Sequence, residues 1–287
     1  MRKTSLFNFM QKNELHLTHG TISYHHHGNG PQLWLALHGF AQDGSVFAAL
    51  APYLPKDVCL IALDLPWHGA SDWKKDHFSI TDIREAIDLL LLEKQQVKYS
   101  LIGFSFGARL ALALAREEAP RWERLVLLAP DGLPRRGWYA FFDHLPFVVK
   151  KQVVRWFDRS DLLLSWANKL YEWELLDAFS LKFIRQHLQT ESNRKRLKGI
   201  WLSAAAFPSL RSSCSFLTKT LARNLQLITG ERDAVIPPAS FVYLAQRIPQ
   251  LQWTSIAEAG HDLFHTTVLP QWASGLFKDS HADTHPE

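Results

Sequence analysis

At 287 residues and 47% hydrophobic content, the chain has enough apolar side chains for a large buried core, which excludes a disordered polypeptide and fits one large domain or a core with an inserted smaller one. The formal net charge of +4 and pI near 9.0 rest on a small Lys/Arg surplus interleaved with acids, a pattern that does not imply a nucleic-acid partner. No run approaches the roughly eighteen apolar residues that would cross a bilayer, since even Leu89 to Leu92 stops at Glu93-Lys94.

In chain order, the N-terminus opens with Arg2 and Lys3, but Asn8, Gln11 and Lys12 break any export-signal core. Glu14 to Thr18 and Thr21 to His26 read as antiparallel strands around a His19-Gly20 turn, and Gly28 to Pro31 turns the chain into a strand at Leu33 to Leu37. Val58 to Leu63, Tyr99 to Ile102, Arg124 to Ala129 and Leu225 to Thr229 are short apolar runs separated by helix-period segments, the pattern of buried parallel strands with crossover helices. The expectation is an α/β doubly wound, mostly parallel sheet. A helix is predicted over Ile80 to Glu93, capped by Ser79 with Asp82 three residues on, and with Ile83, Ile87 and Leu90 on its buried face.

Between Gly132 and Ser213 no comparable strand signal occurs, and Trp138, Tyr139, Phe141, Phe142, Trp156, Phe157, Trp166, Tyr171 and Trp173 recur at helical spacing. We read residues 132–213 as a helical lid between core segments 1–131 and 214–287. A helix near Ala239 to Gln246, a last strand at Leu251 to Ile256 and a closing helix from Asp262 follow, and the polar tail Lys278 to Glu287 is expected to fray. Cys59, inside an apolar run, and the distant Cys214 fit reduced structural thiols, so a cytoplasmic setting is expected.

The chemistry centres on Gly103-Phe104-Ser105-Phe106-Gly107, a G-x-S-x-G between a predicted strand and a predicted helix. A serine on so tight a turn needs small neighbours, and its hydroxyl then projects above the sheet edge. Serine is a weak nucleophile at neutral pH and needs a base, which an acid must orient. Asp233 follows the Leu225 strand and His261 follows the last strand, giving the chain order serine, acid, histidine. Asp131, also just past a strand, is the alternative acid. The backbone N–H groups of Phe40, in Leu37-His38-Gly39-Phe40, and of Phe106 are the expected pair of oxyanion donors.

These segments, together with Asp64-Leu65-Pro66-Trp67-His68-Gly69-Ala70-Ser71, resemble the α/β-hydrolase superfamily in residue pattern and order. The resemblance implies an eight-stranded sheet flanked by helices, a cap inserted after strand 6, no cofactor, and a small-molecule substrate; the chain is expected to act as a monomer or homodimer. Branches that hydrolyse halides or epoxides carry aspartate where Ser105 stands, so the serine favours esters or related acyl compounds. Phe106 departs from the smaller residue common there and is expected to narrow the acyl pocket. Arg109, four residues after Ser105, resembles an arginine of the menaquinone-pathway synthase branch that helps bind a substrate carboxylate; a structural salt bridge is the plainer reading. That branch makes pyruvate elimination, or carbon–carbon hydrolysis, an alternative reaction on the same residues, although Ala129-Pro130-Asp131-Gly132-Leu133 departs from its pattern. A silent scaffold is disfavoured by the intact Ser, Asp and His.

The remaining candidates are structural in expectation. His38 and His68 are assigned to turns, and His25-His26-His27 is not a metal site because neighbours on a strand point to opposite faces. Trp138, among the lid aromatics, is a candidate pocket residue. Arg194, Lys195, Arg196 and Lys198 are expected on a solvated helix face.

Overall fold

In the computed structural model of the chain, the described residues are 12–118, 121–131, 159–176, 178–204, 224–248 and 250–277, with isolated positions 146, 148, 149, 152, 155, 207 and 216. Trp138, Cys214 and the 278–287 tail lie outside them, as does most of 132–158.

Among the described residues, strands β1 (Lys12–Leu17), β2 (Gly20–His27), β3 (Gln32–Leu37), β4 (Val58–Leu63), β5 (Asp72–Trp73), β6 (Tyr99–Phe104), β7 (Trp122–Leu128), β8 (Leu225–Gly230) and β9 (Gln252–Ile256) form one sheet. Its order is β1-β2-β4-β3-β6-β7-β8-β9, so the expected eight strands make the continuous path, and two-residue β5 pairs with β2 off that path. β1, β2 and β4 pair antiparallel, and every pairing from β4 through β9 is parallel. With β5 set aside, β7 is the sixth strand of that path in chain order, and the helices between β7 and β8 follow it; β5 itself is not legible in the sequence, because two residues are too few to show strand alternation.

Period-two alternation sends the two faces of each strand into different cores. Leu33, Leu35 and Leu37 of β3 pack beneath helices α1 (Ile80–Glu93) and α2 (Phe106–Glu117), whereas Trp34 and Ala36 meet Phe47, Leu50, Trp272 and Leu276 on the opposite face. α1 begins as its sequence dictates: Ser79 and Asp82 form a reciprocal capping box, and Ile83, Ile87 and Leu90 are buried. Between β7 and β8 the described residues include helices α3 (Ser160–Glu172), α4 (Ala178–Leu188) and α5 (Glu191–Ala204). α6 (Val242–Arg247) follows a 3-10 turn at Pro238–Phe241. The closing helix α7 spans Pro270–Leu276, not a run from Asp262, because turns fill 263–269 and proline supplies a natural first helical position.

Candidate active site

Ser105 sits between β6 and α2 at φ 52° and ψ −114°, outside helical geometry and strained for a residue with a side chain. Backbone bonds hold it there. Its N–H donates to Leu128 O (2.8 Å), and its carbonyl accepts from Ala108 and Asp131 N–H (both 3.1 Å). The flanking glycines are steric requirements: a Cβ on Gly103 would stand 2.5 Å from Ala108 Cα, and one on Gly107 only 2.0 Å from Leu37 O.

Three side chains from distant segments meet above the carboxyl ends of β6, β8 and β9. His261 Nε2 lies 3.1 Å from Ser105 Oγ, and His261 Nδ1 lies 2.7 Å from Asp233 Oδ2. Asp233 is acceptor-only when ionised, so Nδ1 carries the proton and Nε2 is left to accept from the serine hydroxyl. The other carboxylate oxygen of Asp233 accepts from the Val235 and Ile236 N–H groups, both at 2.8 Å. With its side chain fully buried, Asp233 is thus fixed on both oxygens. Its loop and the histidine loop touch backbone to backbone: Arg232 N–H donates to Ala259 O (2.8 Å), and a Cβ on Gly230 would meet Gly260 O at 2.2 Å. The Phe104 ring packs against the imidazole, centroids 5.2 Å apart, a role that the sequence motif did not reveal. Asp131 contributes its N–H to Ser105, while the imidazole turns to Asp233.

Phe40 lies in the turn three residues past β3, and Phe106 opens α2, where first-turn N–H groups have no acceptor within the helix. The contact of Gly107 with Leu37 O and His38 O sets these two backbones side by side. His38 and His68 brace this corner. His38 Nδ1–H donates to Gly39 O (2.7 Å) while Nε2 accepts from Leu65 N–H (2.9 Å). His68 Nδ1–H donates to Pro66 O (2.9 Å) while Nε2 accepts from Ala41 N–H (3.3 Å). Burial pushes the His38 pKa down to about 4 and that of His68 to about 2, so both rings are neutral struts. Asp64 receives N–H bonds from Gly44 (2.8 Å) and Ala70 (2.9 Å) and contacts His25 Nε2 (3.1 Å); burial works to raise its pKa, but these bonds outweigh it and hold it below the ordinary value. His25, Asp43 and Asp64 offer ligand atoms within 4.8 Å of one another, yet the Asp64 oxygens already serve the turn. His26 instead contacts Cys59 Sγ (3.2 Å) across the sheet.

α5 seats on the core loops at Trp67 and Phe78. Ser203 Oγ accepts from Phe78 N–H (2.8 Å) and donates to Gly199 O (2.7 Å), and Gly199 packs against the benzo-ring carbons of Trp67, which a Cβ would strike at 2.3 Å. The Phe106 ring is buried beside Phe78 and Phe207. Arg109 is buried too, its Nη2 donating to Phe207 O (3.0 Å); among the described residues no carboxylate pairs with it, so the plainer reading of a salt bridge is replaced by a tie from α2 to the insertion. Arg196 departs from the expected solvated face: it is half-buried, with Nη2 bonded to Asn193 Oδ1 (2.7 Å).

A serine at a strained strand-to-helix turn, followed along the chain by an acid and a histidine joined to it at the strand ends, defines an α/β-type serine site. The family model described as alpha/beta hydrolase fold matches residues 35–267, and the chain belongs to this family. The chain is 28% identical over 241 residues to a pimeloyl-(acyl-carrier protein) methyl ester esterase of Xanthomonas campestris, covering 83% of this chain and 90% of that one. It is 25% identical over 247 residues to monoacylglycerol lipase abhd6-B of Xenopus laevis, covering 82% and 71% respectively. Among solved structures, a thermophilic esterase from Thermogutta terrifontis aligns at TM-score 0.62 and 20% identity over 92% of this chain and 95% of that one. Among the described residues no helix is long and apolar enough to cross a membrane.

Proposed function

We propose that the protein is a serine hydrolase that cleaves a small or medium carboxylic ester, or a related acyl compound, through an acyl-Ser105 intermediate. The observation that carries this reading is the continuous relay of Ser105 Oγ, His261 and Asp233 at 3.1 and 2.7 Å. His261 Nε2 takes the hydroxyl proton as Ser105 Oγ attacks the carbonyl carbon, and Asp233 stabilises the imidazolium that forms. The Phe40 and Phe106 N–H groups receive the carbonyl oxygen as it becomes negative. His261 then protonates the leaving alcohol, and a water activated by the same ring releases the acid. Helices α3 to α5 act as the lid, excluding water from the acyl-enzyme. The esterase and lipase relatives are named for ester cleavage, which favours esters over carbon–carbon bonds.

The test is a fluorophosphonate probe with mass mapping of the adduct, followed by turnover of 4-nitrophenyl esters of graded acyl length. Labelling at Ser105 with turnover of at least one ester supports the reading. Labelling without turnover of any ester shifts it to the elimination or carbon–carbon chemistry, and absence of labelling refutes it.

A further inference from the structure

We infer that Phe104 is a positioning residue for the proposed reaction: its ring is the flat stop that keeps the His261 imidazole in the plane from which Nε2 reaches the Ser105 hydroxyl. The inference rests on the hydrolase reading for the step it serves, and it adds to the three reacting side chains a fourth that exchanges no proton.

Two hydrogen bonds hold the imidazole, Nδ1 to Asp233 Oδ2 at 2.7 Å and Nε2 to Ser105 Oγ at 3.1 Å. Both act through ring nitrogens, so they fix the line joining those nitrogens and leave the ring able to rock about it. The torsion that opposes such rocking is soft, because the χ2 well of histidine is broad. With 23% of its side chain exposed, His261 is not clamped by packing on every side either. Rocking matters because the lone pair of Nε2 lies in the ring plane. A tilt swings it away from the hydroxyl, and proton transfer needs alignment as well as distance.

Phe104 supplies the missing restraint. It ends β6, where it pairs with Leu128 of β7, so the sheet fixes its backbone, and burial to 3% exposure fixes its ring. The ring centroid stands 5.2 Å from that of His261 with 38° between the planes, a tilted contact within the range of favourable aromatic pairs. Phe104 has little room to retreat. Phe264 meets it edge to face at 5.4 Å, and Phe264 is itself set against Phe47 at 5.3 Å and Trp272 at 5.7 Å, whose indole N–H donates to Leu263 O (2.9 Å). Gly39 packs on Phe104 too, since a Cβ there would stand 3.0 Å from Phe104 Cδ1. One ring thus touches the base, adjoins the nucleophile along the chain, and borders the turn that precedes the Phe40 amide. An aliphatic side chain would fill the space without offering a plane, so the site uses the shape of the ring and not only its apolar bulk.

The experiment pairs two substitutions in the full-length protein. Phe104→Leu removes the plane, and Phe47→Leu makes the same chemical change two rings further along the same chain of aromatic contacts. With a 4-nitrophenyl ester, Phe104→Leu should lower kcat by roughly 10- to 100-fold, the cost of slightly misplacing a reacting group, with KM little changed. Phe47→Leu should leave kcat near wild type, and Phe104→Tyr, which keeps the ring, should retain most of the rate. Fluorophosphonate labelling of Ser105 should slow in Phe104→Leu by a similar factor, since the same imidazole activates the hydroxyl. Proton NMR adds a signature that loss of packing alone would not produce: the low-field resonance of the His261 Nδ1–H should broaden through faster exchange with water in Phe104→Leu and stay sharp in Phe47→Leu. Should Phe104→Leu fail to fold, Phe104→Met, unbranched and adaptable, takes its place. Equal kcat in wild type and Phe104→Leu, or equal losses in Phe104→Leu and Phe47→Leu, overturns the inference. A wild type labelled at Ser105 that turns over no ester overturns the ester reading alone, because the labelling rates and the resonance then uphold or overturn the role of Phe104.

Discussion

Acidification should unfold this protein through its buried imidazoles, and the effect can be worked out for His38 and His68. Each ring spends Nδ1–H on a carbonyl and Nε2 on a backbone N–H, so a second proton would break an acceptor bond inside the core. Burial places their pKa values at about 4 and about 2, whereas in the unfolded chain each returns to the ordinary 6.5. Below 6.5 the unfolded chain therefore binds more protons than the folded one. The stability contributed by the neutral rings is complete above that value and is lost as the pH falls toward the folded values. At pH 5 the unfolded state gains about 2 kcal/mol from each ring, or about 4 kcal/mol together, a large part of a typical folding free energy. Urea unfolding followed by tryptophan fluorescence at several pH values between about 5 and 6.5 measures the slope. His38→Gln, which keeps one donor and one acceptor but cannot titrate, should flatten that slope by about 1.2 kcal/mol per pH unit at its lower end. An identical slope in wild type and variant would refute the reasoning.

Ser105→Ala should lower ester turnover roughly a millionfold, and Asp233→Asn, which disturbs the imidazole tautomer, by about ten-thousandfold, both with unchanged far-ultraviolet circular dichroism. Gly107→Ala should abolish fluorophosphonate labelling or lower the melting temperature sharply, since the new methyl group would sit 2.0 Å from a backbone oxygen; a labelled variant of wild-type stability would contradict the packing described. Ser79→Ala should cost about 1 kcal/mol in urea denaturation by removing the acceptor for Asp82 N–H while leaving turnover of 4-nitrophenyl esters intact.

The features that sequence revealed are those whose physics is local. Ser79 and Asp82 specify the start of α1 within four residues, and Gly103 and Gly107 specify the turn at Ser105 because no other residue fits there. The strands were legible because buried parallel strands are apolar on both faces. Features that depend on a distant partner were not: β5 exists through its pairing with β2, the seat of Gly199 through Trp67, the place of Phe104 through His261, and the tie of Arg109 through Phe207. The late start of α7 is intermediate, since Pro270 marks the first turn but the stretch from Asp262 has the same polarity as a helix.

The contacts of Gly107 with Leu37 O and of Gly230 with Gly260 O are made by main chain on main chain. The spacing between the Ser105 hydroxyl, the His261 imidazole and the first-turn amides of α2 is therefore gauged by peptide units, which every sequence shares, rather than by side chains, which drift. Under the proposed hydrolase reading, selection can rework the surrounding side chains for a new substrate while the reacting atoms stay in register, so specificity and chemistry evolve on separate parts of the polypeptide.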